Sequence, residues 1–195
     1  MSTLTDTDVL RIFEESGALL TGHFVLTSGF HSAKYFEKFN VLAHPRHVES
    51  LCGELADRLA DTKPDVVVGP TTLGILLAYE VAKRLGTPAG YAERDADGKR
   101  VLKRGVRIEA GQRVLVVDDI LTTGGSVWEC LALVDAAGAT LCGVGLLVDR
   151  SAGTVTFPAP TVSLLTLNVE KFAPDALPDW LAAIPVSKPG STGKH

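Results

Sequence analysis

The chain has 195 residues, 46% of them hydrophobic, enough for one α/β domain with a buried core and short for two independent ones. Its net charge of −4 excludes the broad basic field that draws a protein to nucleic acid or acidic membranes, so any anion site must be local. No run approaches the roughly 18 apolar residues of a membrane span, and residues 1–9 lack the apolar stretch of a leader, so a soluble cytoplasmic protein is expected.

Taken in chain order, Thr7 or Asp8 is positioned to cap a first helix whose Val9, Ile12 and Phe13 share a face and which ends near Gly17. The stretch from Gly22 to Pro45 is rich in aromatic and β-forming residues around Ser28-Gly29, which predicts two short strands joined by a turn. After Pro45, the spacing of Val48, Leu51, Cys52, Leu55 and Leu59 predicts an amphipathic helix. A rhythm of strand and helix follows. Asp65 to Val68 reads as a strand, Ile75 to Leu85 as a helix stopped by Gly86, and Ala89 to Glu93 and Val114 to Val117 as strands. A helix with Val127, Cys130, Leu131 and Val134 closes at Gly138, and strands at Leu141 to Val148 and Val162 to Leu167 complete the series. Phe172 to Ile184 is predicted as a short covering helix.

Continuous apolar strands alternating with helices predict an α/β fold, a mainly parallel twisted sheet with helices on both faces. Residues 1–185 are expected to form a single domain, with an N-terminal appendage over about 18–44 and a core over about 45–170. Residues 186–195 are polar and expected to be disordered. Cys52, Cys130 and Cys142 stand in apolar contexts and read as buried free thiols of a reducing compartment. His23, His31, His44, His47 and His195 show no metal-binding spacing.

The segment that carries chemistry is VLVVDDILTTGGS, Val114 to Ser126. An apolar strand leads to two adjacent acids and then to a loop of small residues opening a helix. Backbone N–H groups and hydroxyls of Thr122, Thr123, Gly124, Gly125 and Ser126 at a helix N-terminus suit a phosphate. Asp118 and Asp119 would repel that phosphate unless they grip something else, which points to sugar hydroxyls or a magnesium ion. The plain alternative is a pair of capping acids before a tight turn. Neither GxxxxGK[ST] nor GxGxxG occurs.

This arrangement resembles the phosphoribosyl-pyrophosphate motif of type I phosphoribosyltransferases. The resemblance implies that Ile120 and Leu121 belong to the donor site, that Thr122 to Ser126 bind its 5-phosphate, and that Asp118 and Asp119 hold the ribose hydroxyls. Thr71 and Thr72, within PTTLG, would line the pyrophosphate. Magnesium would ride on the pyrophosphate with no direct protein ligand, reaching Asp118 or Asp119 through water. Phe24, Leu26, Ser28, Gly29, Ser32 and Tyr35 are similar in order to a pattern of orotate phosphoribosyltransferases, where the segment forms a hood over the base. Val148-Asp149-Arg150 would supply an arginine for the orotate carboxylate, with Phe36 and Thr122 beside it.

The family's mobile loop would be Glu93 to Arg104, with Arg94 on the pyrophosphate and Lys99 or Lys103 as the catalytic lysine. Arg100 and Arg104 are further candidates for its charge. Asp95 stands where that loop has lysine, its histidine is absent, Thr27 replaces a lysine, and Thr72-Leu73 replace Tyr-Lys. The implied working unit is a homodimer with a shared active site, without nucleic-acid or membrane partners. Two alternatives stay open: a purine or xanthine phosphoribosyltransferase, and a non-catalytic regulator that senses phosphoribosyl pyrophosphate. The hood pattern and Arg150 speak against the first; the altered loop speaks for the second.

Overall fold

The structure, a computed structural model, describes residues 3–26, 28–103, 105 and 107–187. Helix α1 (Asp6–Glu15) is capped by Thr5, one turn before the expected Asp8 and in place of Thr7. The Thr5 hydroxyl accepts from the Asp8 N–H at 3.2 Å and the Asp8 carboxylate accepts from the Thr5 N–H at 3.1 Å. Starting at Thr5 satisfies two amides reciprocally, which no later start offers. Strands β1 (Leu19–Val25) and β2 (His31–Phe36) form the expected antiparallel pair, and a short helix α2 (Lys38–Leu42) follows. Helix α3 (Pro45–Leu59) opens on Pro45, where the missing N–H would have had no partner, and buries Val48, Leu51, Cys52, Leu55 and Leu59.

The core alternates as the apolar pattern predicts. It consists of β3 (Val66–Pro70), α4 (Leu73–Leu85), β4 (Ala89–Arg94), β5 (Arg100–Val101), β6 (Arg113–Leu121), α5 (Gly125–Ala136), β7 (Thr140–Asp149) and β8 (Thr161–Thr166). The sheet runs β5-β4-β3-β6-β7-β8, parallel throughout except for the β4–β5 pair. Successive strand residues face opposite sides, so each buried strand feeds two cores. Val67, Leu115 and Val117 pack toward α1, α3 and α4, whereas Val66, Val68, Val114 and Val116 pack toward α5.

Two consequences position the site. From β3 the chain moves outward to β4 and β5, then returns to β6 on β3's other side. The crevice beyond the carboxyl ends of β3 and β6 is therefore the switch point at which such sheets bind ligands. The alternation along β6 also sends Asp118 toward the α5 face and Asp119 toward the face covered by α3, α4 and the hood.

Two expectations at the C-terminus are corrected. Phe172 to Ile184 is not one helix: Pro174 and Pro178 interrupt it, leaving only α6 (Asp179–Ala182). Phe172 instead bridges His31 through backbone hydrogen bonds of 2.8 and 2.9 Å. Val186 and Ser187, expected to lack order, form β9 (Val186–Ser187), which runs parallel to β1 beside His23 and Phe24. The rest of that tail, 188–195, lies outside the described residues. No described helix is long and apolar enough to cross a membrane.

Candidate active site

β6 carries its two acids to the carboxyl edge of the sheet while keeping both only 6% exposed. On the α5 face, Asp118 Oδ1 accepts from the Asp119 N–H at 2.8 Å and Oδ2 accepts from the Ser126 hydroxyl. On the other face, Asp119 Oδ1 accepts from the Ile120 N–H at 2.6 Å and Oδ2 pairs with Lys38 Nζ at 2.8 Å. Burial, then the neighbouring Asp119 charge, push the Asp118 carboxyl from its ordinary 3.8 up to about 6, against the hydrogen bonds from Ser126 and Asp119 and the charge of Lys38.

The folded chain binds the Asp118 proton more tightly than the unfolded chain does. Its stabilising contribution is therefore full below the ordinary 3.8 and lost as pH rises through about 6. The wild type should lose roughly 3 kcal/mol across this window that Asp118→Asn keeps. Urea denaturation from pH 4 to pH 8 checks it; a wild-type-minus-variant difference that stays flat with pH would contradict it.

Beyond β6, Thr122 and Thr123 are exposed and Gly124 turns the chain into α5 at φ +76. A Cβ on Gly124 would also stand 2.9 Å from Val155 Cγ1, so both backbone and space demand glycine. No side chain caps α5, which leaves its first N–H groups open to an anion. The Ser126 hydroxyl is committed to Asp118, which leaves the exposed Thr122 and Thr123 hydroxyls and the backbone as open donors. Leu121 is buried, and the partly buried Ile120 packs against the core.

Across the crevice, a Cβ on Gly69 would lie 2.1 Å from the Gly74 carbonyl oxygen, a contact only glycine permits at this close turn from β3 into α4. Between them stand the half-buried Thr71 and the exposed Thr72, joined by a cis peptide bond.

The segment expected as a mobile loop is a hairpin, with Glu93 opposite Val101 and Arg94 opposite Arg100. Asp95, where the family's loop has lysine, stabilises its turn by accepting from the Asp97 and Lys99 N–H groups at 3.0 and 2.9 Å. Arg94 Nη2 donates to both carboxylate oxygens of Glu129 on α5, at 2.8 and 2.9 Å. Arg100 donates to the same carboxylate at 2.9 Å, to the Ala92 carbonyl at 2.9 Å and to the Thr71 hydroxyl at 3.2 Å. Burial raises the Glu129 carboxyl, but the bonds from Arg94 and Arg100 and their charges outweigh it and hold it below its usual range. Lys99 and Lys103 are exposed and form no ion pair with a described residue. Arg104 and Thr27 lie outside the described residues.

At the end of β7, the Arg150 guanidinium stacks over Phe36 of the hood, 4.9 Å from the ring centre. The Arg150 N–H donates to the Leu121 carbonyl at 2.8 Å, which sets it beside the phosphate loop at Thr122. Its Nε is buried without a hydrogen-bond partner. Burial lowers its pKa, yet a guanidinium keeps its charge.

Arg150 is thus adjacent to Phe36 through its side chain and to the start of the phosphate loop through its backbone, and Asp118, Asp119 and Ser126 lie together. Lys38 and Glu129 carried no sequence signal for the roles they hold here. Glu129 meets its arginines across sequence separations of 35 and 29, and Lys38 belongs to no recognisable spacing. Cys52, Cys130 and Cys142 are buried and free as expected, and burial pushes the Cys52 and Cys130 thiols up to about 12, far from nucleophilic range. Among the described residues, no three or more His, Cys, Asp or Glu side chains cluster to hold a metal.

Residues 40–176 match the family described as phosphoribosyl transferase domain. An orotate phosphoribosyltransferase of Pelotomaculum thermopropionicum is 48% identical over 188 residues, 96% of this chain and 98% of that one. One from Desulforamulus reducens is 45% identical over 184 residues, covering 94% and 96%. Among solved structures, orotate phosphoribosyltransferase from Aeropyrum pernix superposes with a TM-score of 0.69 at 27% identity, covering 82% of this chain and 93% of that one.

Proposed function

The chain belongs to the phosphoribosyl transferase family, and from that premise we propose that it transfers the phosphoribosyl group of phosphoribosyl pyrophosphate to orotate. The products are orotidine 5'-phosphate and pyrophosphate, in pyrimidine synthesis. The observation that carries the choice of base is Arg150: a half-buried guanidinium, stacked on Phe36, whose buried Nε has no partner. A planar anion flat enough to lie in the hood and able to take a forked pair of hydrogen bonds meets that need, and the orotate carboxylate is such a group.

The open N-terminus of α5, with Thr122 to Ser126, receives the 5-phosphate. Asp118 and Asp119 accept hydrogen bonds from the ribose hydroxyls. Thr71, Thr72 and the cations Arg94, Lys99 and Lys103 face the pyrophosphate, with Lys99 or Lys103 as the catalytic lysine. Arg94 reaches it by leaving Glu129, while Arg100, held at three points, anchors the hairpin. The anomeric carbon loses pyrophosphate and gains the bond to the orotate ring nitrogen, passing through an oxocarbenium-like state. As that bond forms the ring N–H gives up its proton, which the departing pyrophosphate can take, and the chain's residues orient the reactants and exclude water.

The hard oxygens of Asp118 and Asp119 fit a magnesium ion held mainly by phosphates and water. When bound, magnesium neutralises charge growing on the leaving group. A homodimer is the proposed working unit, with the exposed Leu76 and Tyr79 of α4, just beyond Thr72, as its apolar contact. The buried free thiols support a cytoplasmic setting, and residues 1–185 are proposed as one domain.

Uracil, which is orotate without the carboxylate, tests this reading. Its kcat/KM should be at least about thirtyfold below that of orotate, because Arg150 stays unpaired. Comparable turnover of the two bases would remove the assignment.

A further inference from the structure

The hood delivers two side chains to two different ligands within three residues of sequence. Phe36 ends β2 beneath Arg150, on the side proposed for the base. Lys38 begins α2 and reaches Asp119 on the side proposed for the ribose, with Nζ 2.8 Å from Oδ2. Among the described residues, Lys38 is the one cation in an ion pair with either acid of β6. Asp119 is held at both oxygens, by the Ile120 N–H on Oδ1 and by Lys38 on Oδ2. Its side chain is 9% exposed, so this pair is not one of the solvated surface contacts that contribute little.

We infer that Lys38 is a positioning residue for phosphoribosyl transfer: its ammonium holds the Asp119 carboxylate aimed at the ribose hydroxyls, and it joins closure of the hood over the base to the grip on the donor. This rests on the phosphoribosyl-transfer reading above. The physical need is local. Two adjacent carboxylates buried at the end of one strand repel each other, and a cation 2.8 Å from one of them offsets that repulsion and fixes its orientation. The groups facing the pair are few: the Ser126 hydroxyl from α5, Lys38 from α2, and each acid for the other. A carboxylate oxygen has two acceptor directions, so Lys38 leaves one on Oδ2 for a sugar hydroxyl. Because the Lys38 side chain is 43% exposed, its ammonium has room to move with the hood as ligands enter.

Lys38→Met and Lys38→Arg are compared with the wild type for affinity toward phosphoribosyl pyrophosphate. In Lys38→Met, donor affinity should fall about tenfold. Lys38→Arg, which keeps a cation within reach of Asp119, should recover most of it. In an Asp119→Asn background, Lys38→Met should weaken donor binding no further, since the pair is already broken. Wild-type donor affinity in Lys38→Met would overturn the inference, and so would equal losses in Lys38→Met and Lys38→Arg. Donor affinity stands whether or not orotate is the acceptor, so failure of the base assignment and failure of the Lys38 role are read separately.

Discussion

Asp119→Asn should lower kcat/KM for phosphoribosyl pyrophosphate about a hundredfold while the chain stays folded. The carboxylate offers acceptors on both oxygens, and two of those positions are filled by the Ile120 N–H and Lys38. An amide keeps one oxygen and turns the other position into a donor. That donor then faces either the Ile120 N–H, the Lys38 ammonium or a ribose hydroxyl, and whichever it faces loses its acceptor. Folding is spared because the substitution removes one of two like charges buried side by side at the edge of β6. Steady-state kinetics with far-ultraviolet circular dichroism of the same preparation checks both halves. Normal turnover in a folded variant would withdraw the ribose role from Asp119.

Arg150→Ala should raise the KM for orotate about a hundredfold and leave affinity for phosphoribosyl pyrophosphate unchanged. The guanidinium is half-buried and already stacked on Phe36, so it binds a carboxylate without being newly desolvated or ordered. Truncation removes both the charge and the fork, and it leaves the orotate carboxylate in a partly dry site with no cation. The donor is spared because Arg150 touches the phosphate loop only through its own backbone N–H, donated to the Leu121 carbonyl, which alanine keeps. Calorimetric titration of the donor, set beside orotate kinetics, separates the two effects. An unchanged KM would assign recognition of the carboxylate to another residue.

The parts of this architecture legible in the sequence are those written in local pattern. Four apolar residues before Asp118 announce a buried strand, and Thr-Thr-Gly-Gly-Ser announces a turn into a helix, because each depends on neighbours within one element. The opposite facing of Asp118 and Asp119 was also implicit in the two-residue period of β6. Their partners were not, because Ser126 comes from the following helix while Lys38 arrives from the hood on the sheet's far side. The charged segment after β4 illustrates the same limit. The resemblance implies a mobile loop there, but nothing in the segment itself shows that Glu129 and Thr71, both distant in sequence, meet Arg94 and Arg100 in a hairpin. At the C-terminus, apolar residues at helical spacing suggested a helix, but Pro174 and Pro178 remove the amides it would need and Phe172 pairs with His31 instead.

The central claim, transfer of phosphoribose to orotate, is tested most directly by offering phosphoribosyl pyrophosphate and magnesium with orotate, uracil, xanthine, hypoxanthine and adenine in separate reactions, detecting both nucleotide and pyrophosphate. The account predicts orotidine 5'-phosphate and an equal amount of pyrophosphate with orotate, and neither product above background with the purines. Nucleotide formed from a purine and not from orotate would contradict it, as would tight binding of the donor without turnover of any base.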